Sequence, residues 1–284
     1  MTKTLRWRQI FTGSILAILV VAAFVPILMM LSMSFRNTIA IYTQYWGWPW
    51  PIQWSNYLYA FQYLIGPAAR TIYICVASVT GISIIASLSA YALARLNFVG
   101  KRIIYAMIVG LMMVPGVVLL TPDFILATWL HLRNSANGLV AFYVGGGLLF
   151  AIFLLRTFFQ SLPEELFEAA RIEGATEWQA LWHIAIPLSR PILITVGILN
   201  FLAIYNDLLW PLLMISNPAR QTLAMALVNF APTGSAAGAL SNFSQPQLGI
   251  IAGGYVVASI PMVLVFVFGL RYFVQGLTSG ALKT

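Results

Sequence analysis

The chain has 284 residues, 61% of them hydrophobic and only 8% charged. A soluble domain carries charge on about a quarter of its residues, so an ordinary water-soluble fold is excluded and a membrane protein is indicated, in line with a mean hydropathy of +0.89. The net charge of +8 does not indicate nucleic acid, because the fifteen Lys and Arg are scattered in ones to threes between apolar runs and form no basic face.

A helix needs roughly 20 consecutive apolar residues to cross a bilayer core, and six stretches approach this: 10–33, 72–94, 103–121, 138–155, 192–214 and 248–270. Within lipid every backbone amide must pair inside the protein, so all six are expected as helices of one transmembrane domain over 1–284. The first is too long for a signal-peptide core and reads as a retained anchor. With the N-terminus inside, eleven of the fifteen Lys and Arg fall on the cytoplasmic side, and Arg36, Arg70, Arg133 and Arg220 fall outside. The positive-inside rule then places both termini in the cytoplasm.

Residues 36–68, on the outer side, carry Tyr42, Tyr45, Trp46, Trp48, Trp50 and Trp54 with Pro49 and Pro51 between them. Two readings stand: an aromatic belt at the membrane interface, or a docking surface for an external partner. In the second span, Cys75 is the one cysteine, so no disulfide forms within the chain; His131 and His183 are far apart, and no metal site is expected. Prolines and glycines at the spans, such as Pro115, Pro261 and Gly145–Gly147, suit a bundle that moves and a static one equally.

Between the fourth and fifth stretches lies an acidic segment, 161–190. Glu164, Glu165, Glu168, Glu173 and Glu177 are five of the seven acids in the chain; Asp123 and Asp207 are the others. Local signals predict helix, turn, helix. Ser161 and Glu164 have capping-box spacing with Pro163 in the first turn, and Gly174 suits a left-handed helix end. Thr176 and Gln179 repeat the box, and Pro187 and Pro191 close the second helix. An ordinary loop folded on the bundle and a helix lying on the membrane surface are the alternatives. Surface helices favour Lys and Arg because the inner leaflet is anionic, whereas 164–177 holds five Glu against one Arg. A cytoplasmic protein partner is the better reading.

Glu168-Ala169-Ala170, then Gly174, then Ile186-Pro187 resembles the coupling-helix motif of ATP-binding-cassette (ABC) importer permeases, and the run from Glu168 to Pro191 is similar to the maltose-type, carbohydrate-uptake subfamily. That family commonly has Asp where this chain has Glu173. The resemblance implies an all-α type I ABC importer permease with six transmembrane helices and a cytoplasmic coupling hairpin, in a bacterial inner membrane. It implies that Glu168, Ala169, Ala170, Gly174 and Pro187 meet a separate ATPase subunit, and that the tail 276–283 reaches toward the ATPase dimer. The implied partners are a second permease subunit, two ATPase subunits and an extracytoplasmic solute-binding protein.

No G-x-x-x-x-G-K-[ST] loop occurs, since Gly100-Lys101 lacks the earlier glycine and the following Ser or Thr. ATP and Mg are therefore expected on the partner ATPase, with no cofactor and no catalytic residue in this chain. Asp207 is the acid expected within the fifth span, where a charge is costly and by default functional. Asn200 shares its helix face, and Tyr205 and Asn206 adjoin it; such groups suit sugar hydroxyls and sugar faces, although they serve equally as bonds between helices. The cargo implied is a sugar or oligosaccharide, with a glycerol-phosphate-type polyol as the alternative. An ion-coupled carrier would need coupling-ion sites beyond Asp207, and a membrane enzyme would need a catalytic set that the sequence lacks.

Overall fold

The computed structural model describes residues 2–230 and 247–281, with side chains over 11–230 and 247–270. Among the described residues every regular element is helical. In chain order these are α1 (Thr2–Ser34), α2 (Thr38–Thr43), α3 (Ser55–Arg95), α4 (Lys101–Met112), α5 (Gly116–Trp129), α6 (Ala136–Ser161), α7 (Glu164–Ile172), α8 (Glu177–Ala180), α9 (Ile186–Leu188), α10 (Arg190–Asn206), α11 (Leu209–Met214), α12 (Leu223–Phe230) and α13 (Leu248–Ala281). A π-helical turn, Leu181–Ala185, joins α8 to α9. The side chains of the C-terminal tail 276–283 lie outside the described residues.

Four unbroken helical stretches are long and apolar enough to cross a membrane: Phe11–Ser34, Ser55–Arg95, Ala136–Ser161 and Leu248–Leu270. Two bent pairs could supply two more, α4 with α5 at 103° and Glu177–Leu188 with α10 at 76°. The six-stretch expectation thus meets four to six spans, depending on how the bent pairs are counted. Large apolar side chains on α1, α4, α5 and α13 are exposed, as a bundle dissolved in lipid requires and a soluble surface would not tolerate on this scale.

Hydropathy marks the part of a helix that lipid covers rather than the ends of the helix, and two boundaries move accordingly. The helix expected over 72–94 begins at Ser55 and runs 41 residues, through Pro67. The helix expected over 192–214 stops at Asn206 and restarts at Leu209. At 1.5 Å per residue, the 17 residues of α10 span only about 26 Å.

The chain forms two compact units, Met1–Ile65 with Ala226–Ile260 and Gly66–Met225 with Pro261–Thr284. In the first, Ala60, Phe230 and Ile250 form a buried cluster flanked by Tyr63 and Val257. The segment after α1 is held by buried Arg36, which donates to the carbonyls of Tyr45 (3.1 Å), Ala40 (2.6 Å) and Gln44 (2.5 Å). Asn56 donates back to the carbonyls of Ser34 and Arg36. The aromatic residues Tyr42, Tyr45, Trp46, Trp48, Trp50 and Trp54 remain exposed. In the second unit α10 packs on α6, and α6 on α4.

Candidate functional site

Two sites carry the chemistry singled out in the sequence, and both lie in the second unit. The first is the hairpin formed by α7, the turn after it, and α8 through α9. Leu162 is extended (ψ 143°), as expected before proline, so α6 ends at Ser161 and α7 starts at Glu164 after Pro163. The Ser161–Glu164 capping box does not form: the Ser161 hydroxyl donates to the Phe158 carbonyl at 2.8 Å, and the Glu164 carboxylate is taken by Arg95 and Arg171. Glu164 and Glu165 sit in the first turn of α7 and Arg171 in the last, each complementing the helix dipole.

At the end of α7, Gly174 has φ +82°. Its amide donates to Arg171 O at 3.0 Å and that of Ala175 to Ala170 O at 2.9 Å, so carbonyls left open by the helix end are satisfied. Thr176 and Gln179 close the expected capping box: Gln179 N donates to Thr176 Oγ1 (3.3 Å) and Thr176 N to Gln179 Oε1 (2.8 Å). On the second limb Leu181 and Ala185 are buried. Trp178 and Trp182 are exposed and meet edge to face at 5.8 Å.

The hairpin is mounted from below. Phe167 is buried under the Arg95 guanidinium, 4.1 Å from its ring centroid. Arg95 Nη2 also donates to Phe159 O and Leu162 O, both at 2.7 Å, and Nη1 pairs with Glu164. Tyr91 donates to Glu177 Oε2 at 2.7 Å, and Arg171 bridges Glu164 and Glu177 at 3.4 and 3.3 Å. The hydrogen bond to Glu177 and that carboxylate's charge, then the smaller pull of Glu164, raise the proton affinity of Arg171 above its ordinary value.

This mount leaves Glu168, Ala169, Ile172, Glu173 and Gly174 exposed, with Ala170 and Pro187 half-buried. A concavity of about 350 Å³ opens between the limbs, lined by Ala170, Glu173, Gly174, Ala175, Gln179, Ala180, His183 and Ile184. Pro187 stands on α9, away from this concavity. Arg95, Tyr91 and Phe167 were not singled out from the sequence. The available signal was one cation closing an apolar run, with a surplus of acids elsewhere to receive it.

The second site is a cavity of about 550 Å³ between α6 and α10, lined by Phe142, Tyr143, Gly146, Gly147, Phe150, Asn200, Asn206 and Asp207 among others. Asp207 lies in the break between α10 and α11. Its Oδ1 accepts from Leu209 N (3.0 Å) and Trp210 N (3.5 Å), capping α11, while its Oδ2 accepts from the Tyr143 hydroxyl at 2.8 Å. Asn200 and Asn206 each donate back one turn, to Val196 O and Leu202 O. Tyr205 faces elsewhere: it is buried and stacked on Phe201, with centroids 5.6 Å apart. The structure therefore brings three of the four expected residues to one cavity and adds Tyr143. Among the described residues, no Lys or Arg lines the cavity. Gly147 permits the close approach of the helices, since a Cβ there would stand 2.6 Å from Asn200 Oδ1.

Spanning helices, a projecting acidic hairpin and a polar cavity beside a broken helix define a membrane transport permease subunit. Residues 81–279 match the family model of the binding-protein-dependent transport system inner membrane component, and the chain belongs to that family. It is 38% identical over 200 residues to the trehalose transport system permease protein SugB of Mycobacterium tuberculosis, covering 70% of each chain. It is 31% identical to the putative ABC transporter permease protein ORF2 of a Caldicellulosiruptor species, over 99% of this chain and 98% of that one. Among solved structures it superposes with TM-score 0.83, at 26% identity, on a chain of a bacterial ABC transporter involved in the import of the acidic polysaccharide alginate, covering 96% of this chain and 99% of the other. The chain is thus a permease of the ABC importer type.

Proposed function

We propose that this chain forms half of the membrane pathway for a neutral sugar or oligosaccharide, driven by ATP hydrolysed on a separate subunit. A second permease chain, two ATPase subunits and an extracytoplasmic solute-binding protein complete the assembly, with both termini in the cytoplasm. The observation that carries the saccharide reading is the α6–α10 cavity, where amides, a carboxylate, a phenol and phenyl rings converge. Those groups pair with hydroxyls and cover the apolar faces of a sugar ring. SugB is named for trehalose and the superposing transporter for alginate. For the present chain an uncharged saccharide is favoured over an acidic one or a glycerol-phosphate-type polyol, because an anion beside Asp207 would meet a carboxylate and, among the described residues, no Lys or Arg lining the cavity.

Energy enters through the hairpin. Glu168, Ala169, Ala170 and Gly174 form the face offered to the ATPase subunit, with Pro187 at the base of the second limb. The small alanines allow close approach and the carboxylates select a basic counterpart. ATP and Mg reside on that partner.

The test uses sealed vesicles containing this chain with a second permease chain and two ATPase subunits, and the solute-binding protein outside. A panel of labelled neutral oligosaccharides, uronic-acid oligosaccharides and glycerol phosphate is offered. Uptake of a neutral saccharide only when ATP is enclosed is the expected result. Uptake that persists without ATP and collapses with an ionophore, or that selects the anions, overturns it.

A further inference from the structure

The hairpin is continuous with the bundle at two places, and both are interrupted. Toward α6 the chain passes through extended Leu162 (φ −69°, ψ 143°) and Pro163 (φ −57°, ψ 131°). Toward α10 it passes the π-helical turn and Ser189, where the helix axis bends by 76°. Non-helical residues and sharp bends are where a chain absorbs motion rather than passing it on. The stiff route is sideways, into the last two turns of α3.

There Arg95 holds two elements at once: the end of α6 through the carbonyls of Phe159 and Leu162, and α7 through Glu164 in its first turn and the ring of Phe167. Its side chain is only 7% exposed, so its bonds to the two carbonyls are poorly screened, while the pair with half-exposed Glu164 is open to water on the carboxylate side; the planar guanidinium fixes their directions. Tyr91, one turn earlier, takes the other limb through Glu177 and packs its ring against Phe159 and Phe167. Arg171 ties Glu164 to Glu177 and closes the frame.

We propose that Arg95 and Tyr91 are positioning residues that make α3 the receiver of the hairpin's motion, so that displacement of Glu164 and Glu177 by the ATPase moves α3 as a rigid lever. This rests on the ATP-driven reading above. A frame serving only to fold the hairpin would affect assembly; a lever also sets how many ATP molecules are consumed per solute imported.

The full complex in vesicles is compared as wild type, Arg95→Lys, Arg95→Ala and Tyr91→Phe, measuring ATPase subunits retained and ATP hydrolysed per solute taken up. Tyr91→Phe keeps the ring and removes only the bond to Glu177. With subunits retained, the ratio is expected to rise about fivefold in Tyr91→Phe, the worth of one hydrogen bond, and further in both Arg95 variants. Lys does not rescue, lacking the planar fork. A wild-type ratio in Tyr91→Phe overturns the proposal, whether or not the Arg95 variants assemble. A wild type that imports nothing with ATP enclosed instead removes the ATP-driven reading itself.

Discussion

Tyr143 and Asp207, 64 residues apart in the chain, share a 2.8 Å hydrogen bond across the α6–α10 cavity. The same carboxylate caps α11 through Leu209 and Trp210. One side chain therefore both lines the cavity and fixes the break in the helix.

Replacing it separates the two roles. Asp207→Asn keeps an acceptor for the α11 amides, whereas Asp207→Ala removes a cap, a loss of about 1 kcal/mol. We expect both variants to lower saccharide uptake, and only Asp207→Ala to lower the unfolding temperature of the detergent-solubilised complex. Equal thermal curves for the two would contradict the capping role.

Gly147 and Gly146 offer a neighbouring pair with opposite expectations. A Cβ at Gly147 meets Ile82 and Asn200, while one at Gly146 meets nothing within 4 Å. Overpacking costs about 1–3 kcal/mol against the roughly 1 kcal/mol that Ala gains over Gly within a helix, so Gly147→Ala should lower the midpoint of thermal unfolding and Gly146→Ala should raise it slightly.

At Gly174 the constraint is conformational. Nothing lies within 4 Å of a Cβ there, yet φ is +82°. A side chain in the left-handed region costs roughly 1–2 kcal/mol, and Asn tolerates it better than a β-branched residue. Retention of the ATPase subunits on affinity purification should fall in the order wild type, Gly174→Asn, Gly174→Val, with insertion into the membrane unaffected.

Glu168 is exposed and belongs to none of the ion pairs that mount the hairpin. Glu168→Lys should leave thermal stability within about 0.5 kcal/mol of wild type, as surface substitutions usually do, while reducing ATPase retention and ATP-dependent uptake together. Unchanged retention in Glu168→Lys would remove this residue from the partner-facing surface.

What was legible in the sequence is what short-range chemistry decides. Apolar runs mark helices because backbone groups in lipid have no other partners. Thr176, Gln179 and Gly174 act within a few residues of themselves, and the structure shows the box and the left-handed turn they encode. The tertiary structure decided everything that depends on a distant partner. Ser161 has the spacing of a cap, yet it closes α6, because Pro163 keeps Leu162 extended and Glu164 is claimed by Arg95, 69 residues away. Tyr205 adjoins Asn206 in sequence yet stacks on Phe201, and Tyr143 enters the cavity instead. Tyr91 reaches Glu177 across 86 residues. Helix periodicity orders side chains along one axis, and only the packing of one helix on another selects which of them meet.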